Sequence, residues 1–262
     1  MSTDDVAVWL YAVIGGEVAD DRTGELTGVD GERVRHIDGG DLSAIVGTVH
    51  LDEFGEEALR RNLENLDWLS VTARAHDAVI SAIARSGPVL PVRMATVYLD
   101  DERVKELLNT RRQDFLAALD LVTGRDELGV KAYGDLAALA AGGNSAPQPA
   151  GEKRSGTAYL MKRKQQLTAH EKAHSAAAAE AERVHATLLR HAVDGKQRPP
   201  GEPAVTGKRA WTVLNGTYLV DRNRVPTFRA AVAELQETTI GIELEITGPW
   251  PPYSFTGDVV SS

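Results

Sequence analysis

Leu59, Leu63, Leu66, Leu69, Ala73, His76, Ile80 and Ile83 recur at intervals of three or four residues. That spacing puts them on one stripe of an α-helix. It predicts a helix from about Glu56 to Arg85, stopped by Gly87-Pro88. A helix with one long apolar stripe must lie against another apolar layer, and the flanking sequence reads as a sheet. Val6–Ile14 (VAVWLYAVI) is an unbroken apolar, β-branched and aromatic run, which reads as a buried strand. Gly15 to Gly31 is rich in Gly and Asp and reads as loop. Arg33–Ile37 and Leu42–Val49 read as short strands, joined by Asp38-Gly39-Gly40-Asp41, where glycine supplies a positive φ cheaply. Pro88–Leu99 (PVLPVRMATVYL) reads as a strand whose prolines suit an edge or a strand start. A second helix, Glu102 to about Val122, carries Val104, Leu107, Leu108, Phe115, Leu119 and Val122. The order is β-β-β-α-β-α, an α+β domain expected over residues 1–125.

The remainder, 126–262, reads as a second α+β domain. Gly129–Tyr133 is a short strand, and Asp135–Ala141 is a candidate helical turn. Ala140 to Gly156 is rich in Gly and Pro and reads as a flexible connection. Strong helix formers fill a long helix from about Thr157 to Val193, ended by Asp194-Gly195. Pro199, Pro200 and Pro203 mark a loop. Trp211–Val220 is strongly β. Its Asn215-Gly216 is either a two-residue hairpin turn or part of one long strand whose partner precedes it near Val205. Val225–Leu235 is a helix with Phe228, Val232 and Leu235 on one face. Ile240, Ile242, Leu244 and Ile246 alternate with Gly241, Glu243 and Glu245, a half-buried strand. The order β-α-β-β-α-β is that of a ferredoxin-like fold.

Composition narrows the function classes. The chain has 262 residues, a net charge of −9 and no cysteine. A disulfide framework, a thiolate nucleophile and Cys-ligated zinc are excluded. The acidic balance argues against a general nucleic-acid binder. No apolar run approaches the roughly 18–20 residues of a membrane helix, and Met1 to Asp5 lacks the basic-then-apolar pattern of a signal peptide. The expectation is a soluble cytosolic protein. Its charge is uneven: residues 1–57 hold fourteen acids against three bases, a balance of −11. Lys153, Arg154, Lys162, Arg163, Lys164 and Lys172 make a basic middle. Such asymmetry either guides partners or domains together or reflects solvated faces of unequal sign.

Few residues are arranged for chemistry. His170-Glu171-Lys172-Ala173-His174 fits H-E-x-x-H, in which histidines four apart grip zinc and the glutamate serves as base. No third histidine follows at metzincin spacing, and the segment KRKQQLTAHEKAHSAAAAE is polar nearly all round. It reads as a solvated helix face, with His185 about 60° round the helix from His170 at ~100° per residue. His76, on the apolar stripe, is a catalytic base or a core histidine bonded to a backbone carbonyl. Arg93 lies among Val89, Pro91, Ala95 and Val97 and is expected to be buried, paired with Glu64 or Asp67. A ligand-binding arginine is the other reading. Phosphate-cradling and nucleophile-elbow motifs are missing. No enzyme, cofactor or metal site is expected.

The end of the chain stands out. Gly248-Pro249-Trp250-Pro251-Pro252-Tyr253-Ser254-Phe255 puts three of fourteen aromatics into eight residues. Prolines stiffen the segment, and aromatics on a stiff support make contact anchors. The alternative is that the tail folds back and closes the core of its own domain.

The chain resembles the gas vesicle accessory proteins GvpL/GvpF. The resemblance is carried by WLYAV (9–13), GDLSAIV (40–46), WLSVTARAH (68–76), PVLPVRMATVY (88–98), GVK (129–131), GTAYL (156–160), LNGTYLVD (214–221) and GPWPPYSF (248–255). The tail and the PVLPVRMATV strand are the most specific. Met94-Ala95 departs from the larger or aromatic residue favoured after that arginine, and the Ala140–Gly156 connector looks specific to this chain. The resemblance implies two α+β domains, the second ferredoxin-like, and no enzymatic activity. It implies cytoplasmic action with other accessory proteins during gas vesicle assembly, by binding the hydrophobic shell protein. Trp250, Pro251, Pro252, Tyr253, Phe255, Pro91 and Arg93 are the candidate partner contacts. Partner shielding by strand addition at a sheet edge is one physical route. A small-molecule sensor built on a ferredoxin-like domain and a metal-dependent hydrolase using HEKAH are the rival readings.

Overall fold

A computed structural model of the chain describes residues 5–16, 23, 25–135, 156–199 and 211–256. Two compact units emerge: Met1–Asp126 together with Trp250–Ser262, and Glu127–Pro249. The aromatic tail, expected with the second domain, therefore belongs to the first unit.

In the first unit β1 (Val6–Gly15) is buried along nearly its whole length. It pairs antiparallel with β3 (Leu42–His50), from Val6 opposite His50 to Gly15 opposite Leu42. The register shifts between Leu10 and Ala12, so Tyr11 sits in a bulge that bends the strand. β2 (Arg35–Asp38) pairs with β3 through the expected tight turn. Gly40 there has φ +88°, and its N–H donates to Asp38 Oδ1 at 2.8 Å. Helix α1 (Leu51–Phe54) follows directly, then α2 (Glu56–Asn62) and α3 (Leu66–Ala84).

The single helix expected from Glu56 to Arg85 is thus broken. Asn65 is extended and caps α3, its side-chain oxygen accepting from Asp67 N at 3.0 Å and Trp68 N at 3.3 Å. A local cap of this kind competes with continuation of the helix. The stripe is buried at Leu59 and again at His76, Ile80 and Ile83, whereas Leu66 between them is 78% exposed.

Pro88–Leu99 is not one strand either. β4 (Leu90–Pro91) lies opposite Ala12 and Val13, and β5 (Val97–Tyr98) opposite Val8 and Trp9. Between them Ala95 takes φ +66°, a left-handed conformation that interrupts the pleat. The path stays tied to β1, with Val92 N donating to Tyr11 O and Thr96 O accepting from Leu10 N. The sheet order is β2-β3-β1-β4, with β5 also on β1. The second expected helix is likewise two, α4 (Asp101–Thr110), capped by Asp100, and α5 (Arg112–Val122), parted at Arg111.

The second unit runs through β6 (Arg125–Gly134), α6 (Gly156–Leu189), β7 (Asp194–Gln197), β8 (Trp211–Asp221), a 3-10 turn (Arg222–Arg224), α7 (Val225–Thr238) and β9 (Ile242–Trp250). Its sheet order is β7-β8-β6-β9. Asn215 and Gly216 lie inside β8, not in a hairpin turn. The partner of that strand is β7, with Gln197 opposite Gly216. The composition predicts a helix to Val193, but its last residue is Leu189. Helix α6 is not polar all round: Ala173, Ala177, Ala181, Val184 and Leu188 are buried at spacings of three and four. Small alanines bring the helix close, and the last three of these residues join the core with Leu128, Val130, Tyr218, Phe228 and Leu235. In β9 Ile242 is buried, Leu244 and Ile246 are half-buried, and Glu243 and Glu245 are exposed, the expected alternation. Ile240 precedes the strand and is 79% exposed. The expected turn at Asp135–Ala141, the connector at Ala140–Gly156 and Val205 fall wholly or almost wholly outside the described residues.

Candidate functional site

The first unit is organised round a chain of rings. Phe54 meets Trp9 edge-on at 5.6 Å and Trp68 at 5.8 Å, and His76 stacks on Tyr11 at 5.3 Å. His76 belongs to this core and has both nitrogens engaged. Trp9 Nε1 donates to its Nδ1 at 3.0 Å, so Nδ1 accepts and Nε2–H donates to Val92 O at 3.0 Å. Burial holds its pKa below the ordinary value. The carbonyl-bonded core histidine anticipated from the stripe is what the structure shows. Nothing in the sequence pointed to Glu32, whose carboxylate accepts from the Tyr11 hydroxyl at 2.5 Å and from the Asp30 N–H at 2.8 Å. Its carboxylate lies where a Cβ on Gly28 or Gly47 would stand, so those two positions must be glycine for it to fit. Burial and this carboxylate raise the Tyr11 phenol.

The tail lands on this core. Pro252 and Phe255 are buried, and Tyr253 is half-buried against the cluster that contains Trp9, Tyr11 and Ile80. Tyr253 Oη donates to Asp77 Oδ1 of α3 at 3.4 Å. The segment turns on itself, with Phe255 N donating to Pro252 O at 3.1 Å and Thr256 Oγ1 to Tyr253 O at 3.2 Å. Trp250 is left 52% exposed and Pro251 half-exposed. The candidate contacts therefore divide. Phe255, Pro252 and much of Tyr253 close a core, while Trp250 offers a large apolar surface to solvent.

Pro91 is buried in β4, opposite Ala12 of the same core. Arg93 is exposed, not buried, because the chain leaves the strand there on its way to Ala95. The premise of a buried ion pair at Arg93 fails.

The H-E-x-x-H segment lies on α6. The His174 ring is 4.1 Å from that of Trp211, Glu171 and Lys172 are exposed, and the His170 side chain is outside the described residues. His185 Nδ1 meets the Tyr218 hydroxyl at 2.8 Å. Among the described residues no group of three His, Asp or Glu side chains could hold a metal ion. A cleft of about 250 Å3 in the first unit, lined by Ile14, Ile83, Pro88 and Leu119, offers only the hydroxyls of Ser86 and Thr123 as polar side-chain groups. No helix among the described residues is long and apolar enough to cross a membrane.

What remains is a mixed α/β protein of two antiparallel sheets whose conspicuous exposed feature is an anchored aromatic tail. Its sequence matches that of the gas vesicle synthesis protein GvpL/GvpF family over residues 7–257. It is 40% identical to gas vesicle protein L of Streptomyces sp. (strain CB03234) over 232 residues, 88% of this chain and 85% of that protein. It is 30% identical to gas vesicle protein F of the same strain over 191 residues, 69% and 75% of the two chains. Its fold is similar to that of crystalline GvpF from Anabaena sp. PCC7120, with a TM-score of 0.67 at 17% identity over 96% of each chain. GvpF from Microcystis aeruginosa gives 0.65 at 15% identity, covering 95% of this chain and 98% of that one. The chain belongs to the GvpL/GvpF family and serves gas vesicle formation.

Proposed function

We propose that this chain is a non-enzymatic assembly factor that acts in the cytoplasm and at the growing gas vesicle. It binds the hydrophobic shell protein and other accessory proteins, with Trp250 as the main contact. The observation that carries this is the exposed indole of Trp250, set directly before a segment whose Pro252 and Phe255 are buried. An aromatic group on an already ordered support loses little entropy on binding. A shell subunit that will line a gas space presents apolar surface before assembly and needs such a partner. Strand addition along Pro88–Leu99 has little support, since β4 and β5 are two residues each. We read the second unit as ferredoxin-like, on the strength of its β-α-β-β-α-β order and its strand order β7-β8-β6-β9. The identity of 40% to protein L against 30% to protein F supports an L-type member.

The test separates the two halves of the tail. Trp250→Ala should leave the unfolding midpoint near wild type and weaken shell-protein capture by ~2 kcal/mol or more. Phe255→Ala should cost ~3–5 kcal/mol of stability, as buried aromatic truncations do. Normal capture by a folded Trp250→Ala variant sinks the contact role of the tail.

A further inference from the structure

The outer edge of β9 is closed by side chains of α7 where another strand would pair. Among the described residues the sheet ends at β9. Asp135 N donates to Gly241 O at 2.9 Å, so main-chain groups at Gly241 and every second residue beyond it face β6. Those of Ile242, Leu244, Ile246 and Gly248 face outward. Gln236 Nε2 donates to Ile242 O at 3.1 Å, and Leu244 N donates to Gln236 Oε1 at 2.6 Å. Arg229 Nη2 donates to Gly248 O at 2.7 Å. A primary amide presents one donor and one acceptor side by side, as a paired residue of a neighbouring strand does. Gln236 thus occupies the pairing position at Ile242 and Leu244. Arg229, Ala233 and Gln236 lie along one side of α7, at the i, i+4 and i+7 spacing.

The side chains of the same edge state what would fit there. Glu243 and Glu245 are exposed on one face, and Glu245 accepts from the Tyr133 hydroxyl at 2.9 Å. Ile242, Leu244 and Ile246 face the core. A second copy of β9 laid alongside would set glutamates against glutamates, which is unfavourable across strands. Lysine or arginine at alternate positions would meet them with opposite charge, and apolar residues between would continue the row from Ile242 to Ile246.

We propose that the β9 edge is a docking surface for an extended segment alternating basic and apolar residues, which pairs with Leu244 and Ile246 and displaces Gln236. The clasp covers the edge until that segment arrives, one of the ways a protein blunts a strand edge. This surface does not depend on Trp250 receiving the shell protein, and the capture experiment on Trp250→Ala does not touch it.

The test titrates the full chain with a peptide Lys-Val-Arg-Val-Lys-Val and with Glu-Val-Glu-Val-Glu-Val as control, following hydrogen exchange and affinity. The basic peptide should slow exchange of the Leu244 and Ile246 amides, and the acidic one should not. Gln236→Ala should bind the basic peptide roughly tenfold more tightly, as loss of the competing hydrogen bonds allows. Gln236→Glu, which keeps the acceptor for Leu244 N, should fall between. The double variant Glu243→Lys with Glu245→Lys should lose the basic peptide and take the acidic one. Unchanged exchange at Leu244 and Ile246, or affinity indifferent to the charge reversal or to Gln236, overturns the proposal. Dimerisation of Gln236→Ala without peptide assigns the edge to a second copy and overturns it as well.

Discussion

Single residues in this fold carry more than their type suggests. His76 accepts from Trp9 and donates to Val92, so it holds the imidazole neutral, and a second proton on Nδ1 would break the tryptophan bond. Burial keeps the folded-state pKa below the ordinary 6.5. Between those two values the unfolded chain binds the proton more readily, so stability is full above about pH 6.5 and falls as pH drops through the folded value. Thermal unfolding of wild type should therefore weaken between pH 7.5 and 5. His76→Gln, which keeps a donor and an acceptor but does not titrate, should show a flatter profile over that window. An equally steep fall in the variant would place the acid sensitivity elsewhere. Arg93 teaches the opposite lesson. Its apolar neighbours made it look buried, yet it is exposed where the strand breaks. Arg93→Leu should change stability by no more than about 0.5 kcal/mol, where loss of a buried pair would cost ~3–5 kcal/mol. Denaturant titration decides between these values.

At the level of elements, type was far more legible than continuity. Both strands of the first hairpin, the turn at Gly40 and the alternation in β9 follow from local pattern, because those patterns record which side of the chain is buried. The break between α2 and α3 left no such mark. Leu63 and Leu66 keep the helical spacing, but they are 38% and 78% exposed. The signal was Asn65, a cap residue lying inside an apolar row. Asn65→Ala removes the bonds to Asp67 N and Trp68 N and should cost about 1 kcal/mol by denaturant unfolding. A variant as stable as wild type would show that packing of the second part of α3 alone positions its start. The break in Pro88–Leu99 was harder to see, since an alanine, not a glycine, takes the left-handed conformation. Of the candidate contacts, the sequence singles out the aromatic tail as unusual, but does not sort the exposed Trp250 from the buried Phe255. That distinction depends on a core more than 150 residues away in the chain, and no local period encodes it.

The molecule as a whole is less modular than its element order suggests. A cut between residues 125 and 126 would leave the first unit without the segment that contributes Pro252, Tyr253 and Phe255. Ending the chain at Pro249 should therefore destabilise the first unit by at least the ~3–5 kcal/mol expected for Phe255 alone. Hydrogen exchange would report it as faster exchange in β1 and β3, with β6 and β8 little changed. Uniform loss of protection in both sheets would mean that the tail supports the entire fold. Any deletion of the tail also removes part of the amino-terminal core, so a point change at Trp250 is the cleaner test of the proposed contact.

A ribosome delivers a chain in one direction, and here the order of delivery differs from the order of ownership. Residues 127–249 leave the exit tunnel after most of the first unit and before its last piece. The amino-terminal core must wait, its aromatic rings incompletely covered, while the whole second unit is made. For a core with buried aromatic rings, that waiting period is itself a vulnerability. It ends only when the proline-stiffened segment arrives: a nascent chain that stalls before Trp250 lacks the cover that Tyr253 gives its core.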